Sequence, residues 1–146
     1  MTSGFLDENF GTNGTINSSL NYDYVTIQSL KSQSNKIVVC GKYYTSNEYY
    51  IFLARYNQNG QIDTTFGVNG YVMTNYIANE SSNSDMMIIQ STGKIIVLCE
   101  NNGNFSLIRF LINGDIDTSF GTNGIVDTGY TFDSNYFCSI KKTTNN

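Results

Sequence analysis

Apolar residues fall along this chain in short dense runs, not at helical spacing. In one stretch they read "GYVMTNYI" from Gly70, "DMMIIQ" from Asp85, "KIIVLCE" from Lys94 and "FSLIRFLI" from Phe105. Runs of this length, rich in β-branched and aromatic residues, predict β-strands. "KIIVL" is apolar at consecutive positions, which predicts burial on both faces of its sheet. The connectors "ANESSNS", "STG" and "NNGN" are short and rich in Gly, Ser and Asn, so they predict hairpin turns and leave no room for helical crossovers. The four runs form one antiparallel unit. An earlier stretch repeats the plan through "TINSSLNYDY", "VTIQSL", "KIVVCGK" and "EYYIFLARYN", with "YYTSNE" as its third hairpin. The final "IVDTGYTFDSNYFCSIKK" supplies the first two strands of another unit.

A second pattern overlies the first. "DENFGTNG" (Asp7 to Gly14), "DTTFGVNG" (Asp63 to Gly70) and "DTSFGTNG" (Asp117 to Gly124) place Phe10, Phe66 and Phe120 at a period of about 55 residues, the mark of stacked supersecondary units. "FLARYNQNGQID" answers "SLIRFLINGDID", pairing Arg55 with Arg109 and Gly60 with Gly114, and "KIVVCGK" answers "KIIVLCE". Four-stranded antiparallel units at this period predict an all-β, β-propeller-like fold of blades packed face to face. Another β-sandwich is the alternative. The chain reads as one repeat domain over residues 1–146, with units at about 4–60, 61–114 and a partial 115–146. Two complete units and a half unit do not close a ring of the usual ~4–8 blades.

The motif has a physical reading as a blade-to-blade connector. An Asn-Gly turn ends the strand, Asp117 accepts backbone N–H groups as an Asx-turn, and Phe120 fills the gap between units. Gly121 and Gly124 sit where a tight reversal requires positive φ. Asp7, Phe10, Gly14, Asp63, Phe66, Gly70, Asp117, Phe120 and Gly124 are thus structural repeat positions. Arg55 and Arg109 are expected to pair with the connector aspartates, once per junction.

These stretches resemble the delta-60 repeat family, whose units carry a pattern close to "GxLDxSFGxxG", an "IxxQxDGKIxVxG" strand pair and an "xLxRYxxxG" strand. The matching stretches are "NGDIDTSFGTNG", "NGQIDTTFGVNG", "MIIQSTGKIIVL" and "LARYNQNG". The resemblance covers almost the whole chain and implies a β-propeller-type fold with no established catalytic activity. Two stretches depart from it: "SLKSQSNKIVV" lengthens the first unit's hairpin, and Ser91-Thr92-Gly93 lacks the acidic turn residue.

Composition narrows the function. Twelve acidic against 8 basic residues give a net charge of -4 with no run of Lys or Arg, so nucleic acid is not an expected partner. No apolar stretch approaches the roughly 18 residues of a membrane span, and "MTSGFLDENF" lacks the basic start and apolar middle of a signal peptide. The chain reads as soluble, inside the cell or within an assembled particle, with an unusual secretion route left open. The absence of His removes the usual general base, the His-activated nucleophiles and most zinc sites. No catalytic residue, metal or cofactor is expected. Cys40 and Cys99 lie in apolar runs and, with Cys138, read as reduced thiols and not as a disulfide framework. Without a signal peptide the sequons at Asn13, Asn17, Asn79 and Asn104 are read as unmodified.

Three candidate chemistries follow. "KYYTSNEYY" gathers Tyr43, Tyr44, Asn47, Glu48, Tyr49 and Tyr50 around one hairpin, aromatic surfaces beside hydrogen-bonding groups that suit a glycan or a protein. Burial of these rings between blades is the structural alternative. Asn113, Asp115 and Asp117 begin a calcium-loop pattern but lack its Gly and distal Glu. An enzyme of paired carboxylates would need Asp85, Glu100 or Asp127 to meet, which no spacing supports. The leading expectation is a non-catalytic structural or interaction module. A blade face spans roughly 400 Å², and covering it is worth on the order of 10 kcal/mol before association costs. Self-association, such as a trimer completing a ring, or another protein chain is therefore expected. The edge strand "SNYFCSIKK" would pair with that partner. A split or truncated member of a longer protein is the other reading.

Overall fold

The computed structural model describes residues 4–18, 20–78, 86–101, 103–131 and 139–142, and the regular structure within them is all β. The strands are β1 (Val25–Gln33), β2 (Lys36–Thr45), β3 (Glu48–Asn57), β4 (Tyr71–Ile77), β5 (Met87–Ile89), β6 (Ile95–Asn101), β7 (Asn104–Phe110) and β8 (Ile125–Thr131). They form one antiparallel sheet in the order β1-β2-β3-β4-β6-β7-β8, with β5 paired to β6 off that path. A single pair, Ile77↔Glu100, joins β4 to β6. The sheet curls at this joint, and β1 comes to lie near β5.

Local chemistry sets the hairpins. Ser46 and Asn47 join β2 to β3 with φ of 51° and 64°, the doubly positive turn whose twist matches its strands. The register then runs unbroken from Thr45↔Glu48 to Lys36↔Asn57. The expected lengthening of the first hairpin is not in its loop, because Gln33 pairs directly with Lys36. The extra length is taken up by β1 itself, which bulges between Ile27 and Ser29.

Three expectations need correction. The repeated motif is not a blade-to-blade connector: it joins β3 to β4 and β7 to β8, which are hydrogen-bonded neighbours. Apolar runs alone do not reveal which strands pair, and the motif's glycines serve a reversal within one sheet as well as one between sheets. Second, "TINSSLNYDY" forms no strand among its described residues. β4 and β8, which occupy the same place after their motifs, are strands because β3 and β7 lie alongside them. Among the described residues of 15–24, Thr15 bridges to Thr12 and Tyr24 accepts the Tyr44 N–H of β2 at 2.9 Å, but no continuous ladder forms. Third, β7 ends at Phe110, where the Leu111-to-Gly114 turn begins. Most of "SNYFCSIKK", including Cys138, lies outside the described residues, and Ser139 to Lys142 form no strand.

The core follows from the alternation of side chains across the sheet. Val38, Cys40, Ile51 and Leu53 from β2 and β3 pack with Ile95, Val97, Ile108 and Phe110 from β6 and β7, and Phe66 of the motif completes this layer. The opposite face of β2 and β3 buries Val39, Phe52, Ala54 and Tyr56, against which Ile16 and Leu20 pack. β2 and β3 are thus buried on both faces, as the consecutive apolar positions of "KIVVC" and "YYIFLA" require.

The motif's glycines set a testable limit. Gly67 has φ +53°, and a Cβ there would stand 2.2 Å from the Tyr71 carbonyl oxygen. Gly103 has φ +78° but open space around it. Replacing Gly103 with Ala is expected to cost about 1 kcal/mol, the backbone penalty alone, whereas Gly67→Ala adds a backbone collision and is expected to cost more than about 2 kcal/mol. Urea denaturation of the two variants measures the difference, and equal losses would contradict this description of the motif.

Candidate functional site

The junction between repeats is the most developed polar arrangement in the protein. β3 carries Arg55 into the core, and the turn at Asn57–Gly60 reverses the chain through Gly60 N–H donating to Asn57 O at 2.9 Å. Asp63 N–H then donates to Arg55 O at 2.8 Å, which brings the two side chains together. Arg55 Nε donates to Asp63 Oδ2 at 2.7 Å, and Lys36 Nζ lies 3.2 Å from the same oxygen. Thr65 donates to Asp63 Oδ1 through Oγ1 at 2.7 Å and through its backbone N–H at 3.3 Å. The Phe66 ring centroid lies 4.6 Å from the guanidinium carbon. Arg55 and Asp63 are 7% and 4% exposed, so the pair is a buried one whose polar atoms are met on every side.

The next copy repeats the design. Arg109 Nε donates to Asp117 Oδ2 at 2.8 Å, Lys94 Nζ donates to it at 2.7 Å, and Ser119 donates to Oδ1 through Oγ at 2.6 Å. Phe120 lies 4.3 Å from the guanidinium carbon. The Asx-turn expected at Asp117 is formed by Ser119 N–H at 3.2 Å. Desolvation pushes the Asp63 carboxyl upward, but the hydrogen bonds from Thr65, Lys36 and Arg55 outweigh it and hold the group well below the usual carboxylate range. Asp117 is held low by Lys94 first, then by Ser119 and Arg109. In the first copy, Asp7 accepts the Asn9 N–H at 3.0 Å, and Glu8 stands where Thr64 and Thr118 follow the later aspartates.

The first two copies of the motif also reach into the following repeat. Gly11 N–H donates to Asn59 O and Gly67 N–H to Asn113 O, both at 2.8 Å. Arg55 Nη1 donates to Ile112 O, and Gln33 Nε2 donates to Gly93 O at 2.6 Å. The motif's first glycine and the buried arginine therefore grip the backbone of the next Asn-Gly turn.

The tyrosine hairpin does not form one platform. Tyr43 pairs across with Tyr50 and Tyr44 with Tyr49, so the alternation of the strands divides them between two faces. On one face Tyr43 lies 4.5 Å from Tyr22 and 5.7 Å from Tyr50, ring centre to ring centre, and its buried hydroxyl donates to Thr74 O at 2.7 Å. Burial, then the neighbouring Tyr22 and Tyr50, raises the Tyr43 pKa. On the other face Tyr49 lies 5.0 Å from Tyr44 and meets Tyr24 edge-on at 6.5 Å. Asn47 and Glu48 are exposed at the tip.

The remaining candidates stay apart. Asn113 Nδ2 donates to Asp115 Oδ2 at 2.7 Å, while Asp117 turns to its own arginine and lysine. Among the described residues no three His, Cys, Asp or Glu side chains converge. Asp127 accepts from Gly129 N–H and Asn104 Nδ2, which together hold its pKa low. Asp85 lies outside the described residues. Burial first, and the Glu100 charge second, pushes the Cys99 thiol up to about 12, the opposite of an activated nucleophile. Sequence reasoning missed Lys36, Lys94, Thr65 and Ser119 as members of the junction. Their signal was present, since each recurs at the repeat offset.

Two expectations follow from the junction. Removing one partner of a buried pair strands the other, so Arg55→Leu is expected to cost roughly 3–5 kcal/mol in urea denaturation at neutral pH. Arg109→Leu is expected to cost less, because its side chain is 18% exposed against 8% for Arg55. Because the folded-state pKa values of Asp63 and Asp117 lie below the unfolded ones, their stabilisation is full above about pH 4 and declines as pH falls below it. The Asp63→Asn, Asp117→Asn double variant is expected to be less stable at neutral pH and to show a flatter loss between about pH 4 and 2. An unchanged acid slope would contradict the assignment.

Comparison with known proteins bears on the fold. The family model described as "Domain of unknown function (DUF5122) beta-propeller" matches residues 33–66, the span from the end of β1 through the first complete junction. No curated protein and no solved structure matches. The family match and the curled antiparallel sheet together support a β-propeller-type repeat fold.

Proposed function

We propose that this chain is a non-catalytic interaction module: an incomplete β-propeller of the delta-60 repeat kind, completed by copies of itself or by another protein chain. On this reading β1 to β4 form one four-stranded blade and β5 to β8 the next. The segment 4–24 is the end of a preceding blade. The observation that carries it is the repeated grip of Gly11 on Asn59 and of Gly67 on Asn113, which makes the contact between neighbouring repeats a reusable interface. The absence of His, the raised Cys99 thiol and the fully engaged Asp63 and Asp117 leave little for catalysis.

A second reading, glycan binding, rests on Tyr24, Tyr44 and Tyr49 gathered on one face beside the exposed Asn47 and Glu48. Light scattering coupled to size exclusion separates the two. The interaction module is expected to run as an oligomer at micromolar concentration, and a folded monomer across that range would contradict it. Saturable glycan binding lost in Tyr44→Ala, Tyr49→Ala would favour the second reading.

A further inference from the structure

A cavity of about 470 Å³ opens between the β1–β2 hairpin and the turn at Ile112–Asn113 in the next repeat. Gln33 and Arg55 line it and are themselves buried, at 2% and 7% exposure. A guanidinium has five N–H donors. In Arg55 the Nε donor goes to Asp63, the Nη1 donors to Gln33 and to Ile112 O, and one Nη2 donor to Thr65. The second N–H on Nη2 has no acceptor among the described residues. Lys36 lies on the same lining, half-buried, with its Nζ on Asn57 Oδ1 and Asp63 Oδ2. Its third N–H also has no acceptor among the described residues.

These two donors share one side of the cavity, because Arg55 and Lys36 both reach the same Asp63 oxygen, at 2.7 and 3.2 Å. Two cations against one carboxylate leave the spot positive, although the chain as a whole carries a net charge of -4. The wall also includes Ile112 and the aliphatic stems of the two cations. The volume is far more than one inorganic ion fills and lies within the range of pockets for small organic ligands. We propose that this cavity binds a small organic monocarboxylate. Its carboxylate takes the spare donors of Lys36 Nζ and Arg55 Nη2 as charge-assisted hydrogen bonds, and its short apolar body lies against Ile112. Because the walls come from neighbouring repeats, the bound acid bridges them and stabilises their contact. The site is complete within one chain and does not depend on self-association.

An NMR titration of the intact chain with hexanoate tests this, at constant ionic strength so that general salt effects cancel. Saturable shifts confined to the amides of Gln33 to Lys36, Thr65, Ile112 and Asn113 are expected at millimolar concentration. Lys36→Met is expected to weaken binding at least tenfold. Because Lys36 also braces Asp63, Ile112→Asp is the companion variant: its side chain is 53% exposed, and its backbone carbonyl still accepts from Arg55. The carboxylate it brings to the cavity is expected to weaken hexanoate binding at least tenfold in a chain whose other amides do not move. Equal binding of hexanol would overturn the carboxylate recognition, and equal binding of inorganic phosphate would overturn the role of the apolar wall. Shifts that do not saturate, or that survive Ile112→Asp unchanged, would overturn the site.

Discussion

A guanidinium that cannot be left unpaired governs this structure. Arg55 sits in the sheet interior, where an uncompensated cation would cost several kcal/mol, and the chain returns Asp63 to within 2.7 Å of it. The return dictates the local path. Asn57–Gly60 must turn tightly, Asp63 must bond the Arg55 carbonyl, and Phe66 must lie beneath the guanidinium. The glycines that follow take positive φ so that β4 can leave the motif alongside β3. One buried charge thus fixes a turn, a core aromatic and a strand pairing.

The same charge links the repeats. Once Asp63 has taken Nε, the terminal nitrogens still need acceptors, and they find Gln33 and Thr65 in their own repeat and Ile112 O in the next. Arg109 has the same anchor through Asp117 but, among the described residues, not the further acceptors. The two junctions differ in exposure for that reason, 8% against 18% for the arginine side chains. One buried pairing thus serves both the fold of a repeat and, at Arg55, its contact with the next one.

Much of this was legible in the sequence. The recurrence of Asp, Phe and Gly gave the motif, and consecutive apolar positions in β2 and β3 gave burial on both faces. The Arg–Asp pairing followed from their shared period. What escaped was which strands the motif joins. Apolar runs specify strands but not partners, and a connector of thirteen residues between β3 and β4 can serve either a hairpin or a crossover. The tyrosines misled for a related reason. Tyr43, Tyr44, Tyr49 and Tyr50 are neighbours in sequence, but a strand sends neighbours to opposite faces, so one cluster became two. Residues 15–24 have strand-like composition, but their described residues form no continuous ladder with a neighbour, and composition does not supply one.

The most direct measurement is a double-mutant cycle on the first complete junction. Arg55→Leu, Asp63→Asn and the pair are compared with the parent chain by urea denaturation at neutral pH. A coupling energy of about 2 kcal/mol is expected for groups in one hydrogen-bonded network. A coupling indistinguishable from zero would mean that the arginine and the aspartate stabilise the fold independently, and that the junction is not the constraint on which the repeats are built.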